Sequence, residues 1–257
     1  MPPAAISPIL LLAIFPSPAA IAPSNSPSLS ATERKLGHPN YKPQDLQGWT
    51  VHVHQDLLEN KAEKTENALK LLGSQLATIR KVIPQTAVEK LQRVPLWISP
   101  KYPSSRPGAE YHPNGGWLKR NNRIPELAKC VEFSNVDIFE RECIRMPMLA
   151  LHELAHAYHD QVIGFDNKEV IAVYESAKAA GSYEKVERWF GPHRKNSFEK
   201  AYAISNHKEY FAETSEALFG RNDFFPFNRQ ELQRHDPEMA KLLGQLWGEQ
   251  QTSPPRQ

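Results

Sequence analysis

His152-Glu153-Leu154-Ala155-His156-Ala157-Tyr158-His159-Asp160 is the stretch on which the reading of this chain turns. It holds two histidines four residues apart, with a glutamate beside the first. On an α-helix, residues i and i+4 lie one above the other on one face. His152 and His156 would then aim imidazole nitrogens at one Zn²⁺, with Glu153 beside the coordination position left for water. The composition would produce roughly 0.03 such matches by chance in a chain of this length, so coincidence explains it poorly. The plainer alternative is a core helix whose histidines bond to backbone.

The flanks support a helix. Pro147 suits a first turn, because its missing N–H is unpaired there anyway. Leu149, Ala150, Leu151, Leu154, Ala155 and Ala157 are good helix formers, and Gly164 offers a stop. The helix is apolar nearly all round, so it is expected to be buried, and buried histidines need partners. Just upstream, Lys129-Cys-Val-Glu-Phe-Ser134 alternates in polarity and reads as a strand.

A catalytic zinc takes three protein ligands plus water. The metzincin pattern wants glycine at position 159 and histidine at 162; the chain has His159 and Val162. Two glutamates compete for the third position. Glu175 has the spacing of aminopeptidase-type zinc enzymes, but it also fits as a polar position on a helix from Glu169 to Ala180. Glu209 lies in Asn206-His-Lys-Glu-Tyr-Phe-Ala-Glu-Thr-Ser-Glu-Ala-Leu-Phe-Gly220. There Asn206 caps a new helix that Gly220 can close. Glu209, Glu213 and Glu216 form one stripe on that helix among aromatic and aliphatic residues. Such carboxylates are costly unless paired or bound to metal.

Glu209-Tyr-Phe-Ala-Glu213 after a His-Glu-x-x-His helix resembles the catalytic domain of anthrax lethal factor and the related Pro-Pro endopeptidases, a gluzincin-type group. The resemblance covers roughly residues 130–220. It implies Glu209 as the zinc ligand and Tyr202, seven residues earlier, as a catalytic helper; Asn206 matches as well. It also implies an α+β, zincin-like fold, in which the strand before the helix is an exposed edge. An extended peptide would pair with it, which points to residues 130–134 for substrate alignment. Zn²⁺ on His152, His156 and Glu209 would activate water, and Glu153 would shuttle its proton. Tyr202 would donate to the oxyanion, and Glu213 would orient a ligand histidine, with Asp160 the weaker candidate for that task.

In the first half, Gly48 to His54 alternates as a half-buried strand with His52 and His54 on its solvent side. Residues 57–83 read as one long helix ended by Pro84. Thr86 and Glu89 form a capping box for a short helix, and Val94–Ser99 reads as a strand. Pro100 to Gly116 reads as loop. Asn222–Asn228 is an aromatic turn expected in the core, and Asp236-Pro-Glu238 opens a last helix.

No charged side chain precedes Glu33, and Ile9–Phe15 is an apolar run followed by small residues. Residues 1–31 therefore read as a signal peptide or disordered leader, and residues 23–45 as a flexible lead-in. The expectation is a secreted protein with one zincin-like domain over residues 46–250 and a flexible tail at 251–257. Its two cysteines, Cys130 and Cys143, either pair or sit as buried thiols. A net charge of +2 without a Lys/Arg block gives no reason to expect nucleic acid. No apolar run is long enough for an integral membrane segment. The expected activity is that of a monomeric zinc endopeptidase acting on a peptide or protein. Other readings are a non-catalytic zinc-stabilised binding domain and a hydrolase of a non-peptide amide.

Overall fold

The computed structural model describes residues 38–102 and 108–249; the leader, the residue 1–31 boundary and the 251–257 tail lie outside them. Strands β1 (Tyr41–Leu46) and β2 (Trp49–His54) pair antiparallel, Leu46 opposite Trp49. Gln47 and Gly48 close the turn at φ 59° and 88°, the positive pair that matches strand twist in a two-residue hairpin. β1 is exposed at Lys42, Pro43, Gln44 and Asp45. It lies within the stretch read as lead-in, so folded structure begins before residue 46.

Helices α1 (Gln55–Asn60), α2 (Ala62–Val82) and α3 (Gln85–Leu91) carry the chain to β3 (Leu96–Ser99), parallel to β2. The helix expected over 57–83 is broken at Lys61, where φ is −139°. Thr65 bridges the break by donating to the Leu57 and Lys61 carbonyls. α3 starts two residues early, with Pro84 at its cap and no side-chain capping bond, so Thr86 is not a cap.

Next come β4 (Ala109–Tyr111), α4 (Gly115–Arg120), a 3₁₀ turn at Pro125–Leu127, and β5 (Val131–Ser134). β4 falls inside the stretch read as loop. β5 runs parallel to β3 and antiparallel to β4, and the sheet order is β1-β2-β3-β5-β4. The edge strands are therefore β1 and β4. Residues 131–134 are interior and buried, contrary to the expectation for 130–134.

Parallel strands are normally covered on both faces, and this explains a second correction. His52 is 1% exposed, not solvent-facing. It stacks on Trp97 in a small second core with Tyr41, Leu118, Leu127 and Cys130. No disulfide joins Cys130 to Cys143.

The main core lies on the other face, beneath α2 and the C-terminal helices. These are α5 (Phe139–Arg145), α6 (Leu149–Tyr158), α7 (Lys168–Ala180), α8 (His207–Phe219), α9 (Arg229–His235) and α10 (Pro237–Trp247). A small sheet of β6 (Val186–Arg188) and β7 (Ser197–Glu199) separates α7 from α8. The fold class is α+β, a mixed five-stranded sheet with about ten helices. Trp247 anchors the helical half: it stacks on Tyr158 at 4.1 Å and donates to Ser215 Oγ at 3.1 Å. α10 begins as expected, with Asp236 accepting from Met239 N. Asp236 also receives the Tyr183 and Tyr210 hydroxyls, which ties α8 to the cap.

Candidate metal centre

α6 and α8 pack against each other and carry the site. α6 is buried along almost its whole length and runs on into a π turn, His159–Ile163. Gly164 ends that turn at φ 91°. α8 starts where its cap dictates, with Asn206 accepting from the N–H groups of Lys208 and Glu209. The cap is met by Asn206 alone, so the Glu209 carboxylate is not needed there. It turns instead toward α6.

The result is a triangle. His152 Nε2, His156 Nε2 and Glu209 Oε2 are each 3.2 Å from the other two. With bonds of 2.0–2.1 Å, ligands of a tetrahedral ion stand about 3.3 Å apart and those of an octahedral ion about 2.9 Å. The donor set therefore fits a metal ion, and its spacing is nearer the tetrahedral case. The local field favours a cation too. Burial opposes charge on His152, but its hydrogen bonds to the Glu209 and Glu216 carboxylates outweigh it and raise its pKa well above the usual histidine range. Burial likewise opposes charge on Glu209, yet the two histidines hold it well below the usual carboxylate range.

Glu216 orients the first histidine. His152 Nδ1 lies 2.7 Å from Glu216 Oε1 and 3.7 Å from Glu213 Oε1. A proton on Nδ1 leaves Nε2 as the lone pair facing the triangle. The expected role of Glu213 thus belongs to Glu216. The two share the stripe, and the phase of the helix decided between them. Burial raises the pKa of both; nearby Asp223 adds to it. Asp160 does not reach a ligand histidine; it accepts from Tyr111 OH and Lys129 Nζ.

Glu153 sits beside the triangle, with Oε2 accepting the Tyr111 backbone N–H at 2.8 Å. Burial raises its pKa, so its carboxylate binds a proton more readily than an exposed one would. Tyr202, on a 3₁₀ turn (Tyr202–Ser205), is 49% exposed and its ring centre is 6.5 Å from that of His152. Burial and then the Glu209 charge push its hydroxyl up to about 12, so it remains an O–H donor at neutral pH.

His152, Glu153, His156, Tyr202, Glu209 and Glu213 line one cavity of about 560 Å³, together with Ala109 to Tyr111 of β4 and with Arg145, Arg188, Asp223 and Phe224; Glu216 lies behind its wall. Phe224 is both core and cleft wall, so the aromatic turn serves both purposes.

Glu175 is exposed on α7 and is not among the clustered donors. A second group, Glu110, His112 and Glu132, also brings donors together. There Arg123 supplies the cation itself, bonding Glu132 at 2.6 Å and Glu110 at 3.1 Å. Comparison with family models, curated proteins and solved structures finds no match.

Proposed function

We propose that this chain is a zincin-like, zinc-dependent endopeptidase of an exported protein. The observation that carries the reading is the 3.2 Å triangle of His152, His156 and Glu209, set in a cleft beside Glu153. A purely structural zinc site is closed by a fourth protein ligand and needs no neighbouring base. The remaining alternative, a hydrolase of non-peptide amides, would use the same residues.

His152, His156 and Glu209 would hold the zinc, which when bound acidifies water and polarises a carbonyl. Glu153 accepts the proton of the attacking water and returns it to the departing amine. The Tyr111 N–H fixes the carboxylate for that transfer. Tyr202 donates its O–H to the developing oxyanion. Glu216 keeps the His152 ring in orientation through Nδ1.

β4 supplies a docking edge. Gly108 O accepts from Ser134 N, and His112 N donates to Cys130 O. Antiparallel alternation then turns the peptide groups of Ala109 and Tyr111 away from β5, toward the cleft. The Tyr111 bond to Glu153 agrees with that direction. An extended peptide added there would lie along the metal centre.

Zinc analysis and a peptide-library digest of wild type and Glu153→Gln test the reading. Retained zinc with cleavage reduced by about 10²–10⁴ is expected. Zinc-loaded wild type that cleaves no peptide would overturn it.

A further inference from the structure

The far wall of the cleft holds two guanidinium groups that share one buried carboxylate. Arg145 is well supplied: Nη1 donates to Asp223 Oδ2 at 3.0 Å, while Nε and Nη2 donate to Glu142. Arg188 is not. Its Nε stands 3.4 Å from the same Asp223 oxygen, without the alignment of a hydrogen bond. Its Nη1 reaches Glu199 at 3.3 Å, and that side chain is 40% exposed, so the pair contributes little. Among the described residues, none accepts from Nη2.

Arg188 is nevertheless held in place. Its guanidinium lies over the rings of Phe224 at 4.4 Å and Phe190 at 4.9 Å. β6 is stitched beneath it by Trp189 N to Asp223 O and Phe225 N to Glu187 O. The side chain is 24% exposed and lines the cleft. A positioned cation with an unused terminal donor, in a partly desolvated wall, recognises a carboxylate better than a flexible surface lysine does.

We propose that Arg188 is a specificity residue that binds a carboxylate of the peptide, either an acidic side chain or the free C-terminus. This rests on the peptide-cleft reading above, and the test separates the two. Binding is measured on the Glu153→Gln protein, so no turnover is required. The probes are N-acetylated peptides with Glu or Gln fixed at each position in turn, made as C-terminal acids and as amides.

Glu peptides should bind about tenfold or more tightly than their Gln isosteres at one position, a difference of about 1.4 kcal/mol. Acids outbinding amides, with no Glu preference, would assign the carboxylate to the C-terminus. Arg188→Gln should abolish the preference, and Arg188→Lys should retain only part of it. Equal binding of all four peptide types to the Arg188 protein overturns the proposal, even if wild type cleaves neutral peptides. A preference that survives in a folded Arg188→Gln protein overturns it too. The comparison of peptides on the Glu153→Gln protein with Arg188 in place needs no further variant and stands if the Arg188 variants fail to fold.

Discussion

At the scale of single residues, three oxygen and nitrogen atoms define the centre and one carboxylate behind them tunes it. Glu209→Ala should lose zinc that Glu175→Ala retains, as measured by metal content after dialysis. Glu216→Gln should keep the fold but weaken zinc binding by about 10–100-fold in a competition titration. His159, three residues past His156, behaves differently. It is fully buried among Phe165, His207 and Phe211, and neither ring nitrogen has a partner. Burial, then the nearby His207, His156 and Lys208 charges, brings its pKa down to about 3. The unfolded chain therefore binds a proton between about pH 6.5 and 3 that the folded chain refuses. Stability is lost as pH falls through that window, by roughly 1.4 kcal/mol per pH unit from this residue. Urea unfolding at pH 7 and 5, with chelator throughout, should show that loss shrinking in His159→Leu.

At the scale of elements, the long helices and the strands β2, β3 and β5 were legible, whereas the break between α1 and α2, the short helices α4, α5 and α9, and the strands β1, β4, β6 and β7 were not. The histidine helix, α7 and the Asn206 cap all follow from local signals: periodicity, capping residues and terminal glycines. β4 has only three residues, in a stretch rich in Pro, Gly and Ser, and too short to show a period. Its place outside β5 is a long-range fact that no local pattern carries. His52 was misplaced because alternation reports a half-buried strand, whereas a parallel neighbour brings cover to both faces. The Glu213 and Glu216 choice likewise needed the rotation of α8 against α6. Two substitutions test elements. Ala109→Pro removes an outward N–H from β4 while leaving its bonds to β5 intact, an arrangement edge strands accept. A fall of about tenfold in kcat/KM is expected with an unchanged circular dichroism spectrum. Gly164→Ala forces a Cβ to within 2.9 Å of Asp166 Oδ1 at φ 91°. It should cost about 1–3 kcal/mol in denaturant unfolding.

For the molecule as a whole, the candidate metal centre takes its donors from both α6 and α8, so an ion bound there should report on global stability. A ligand that binds only the folded state at a hundredfold excess over its Kd adds about 2.7 kcal/mol. That corresponds to a rise of about 5–10 °C in Tm on adding zinc to chelator-treated protein. Glu209→Ala should show no such rise. No helix among the described residues is long and apolar enough to cross a membrane. The two rims of the five-stranded sheet are also unequal. The β1 rim carries Lys42 and Asp45, and counting from the hairpin turn places Pro43 where an N–H would point away from β2. That rim lacks a donor and repels a flat partner. A second copy set against β1 would therefore meet a missing hydrogen bond and charged side chains, which disfavours growth of a ribbon through that rim. If β4 takes an extended guest as proposed, the two rims divide the work: one is left to accept a strand, and the other is defended against its own copies.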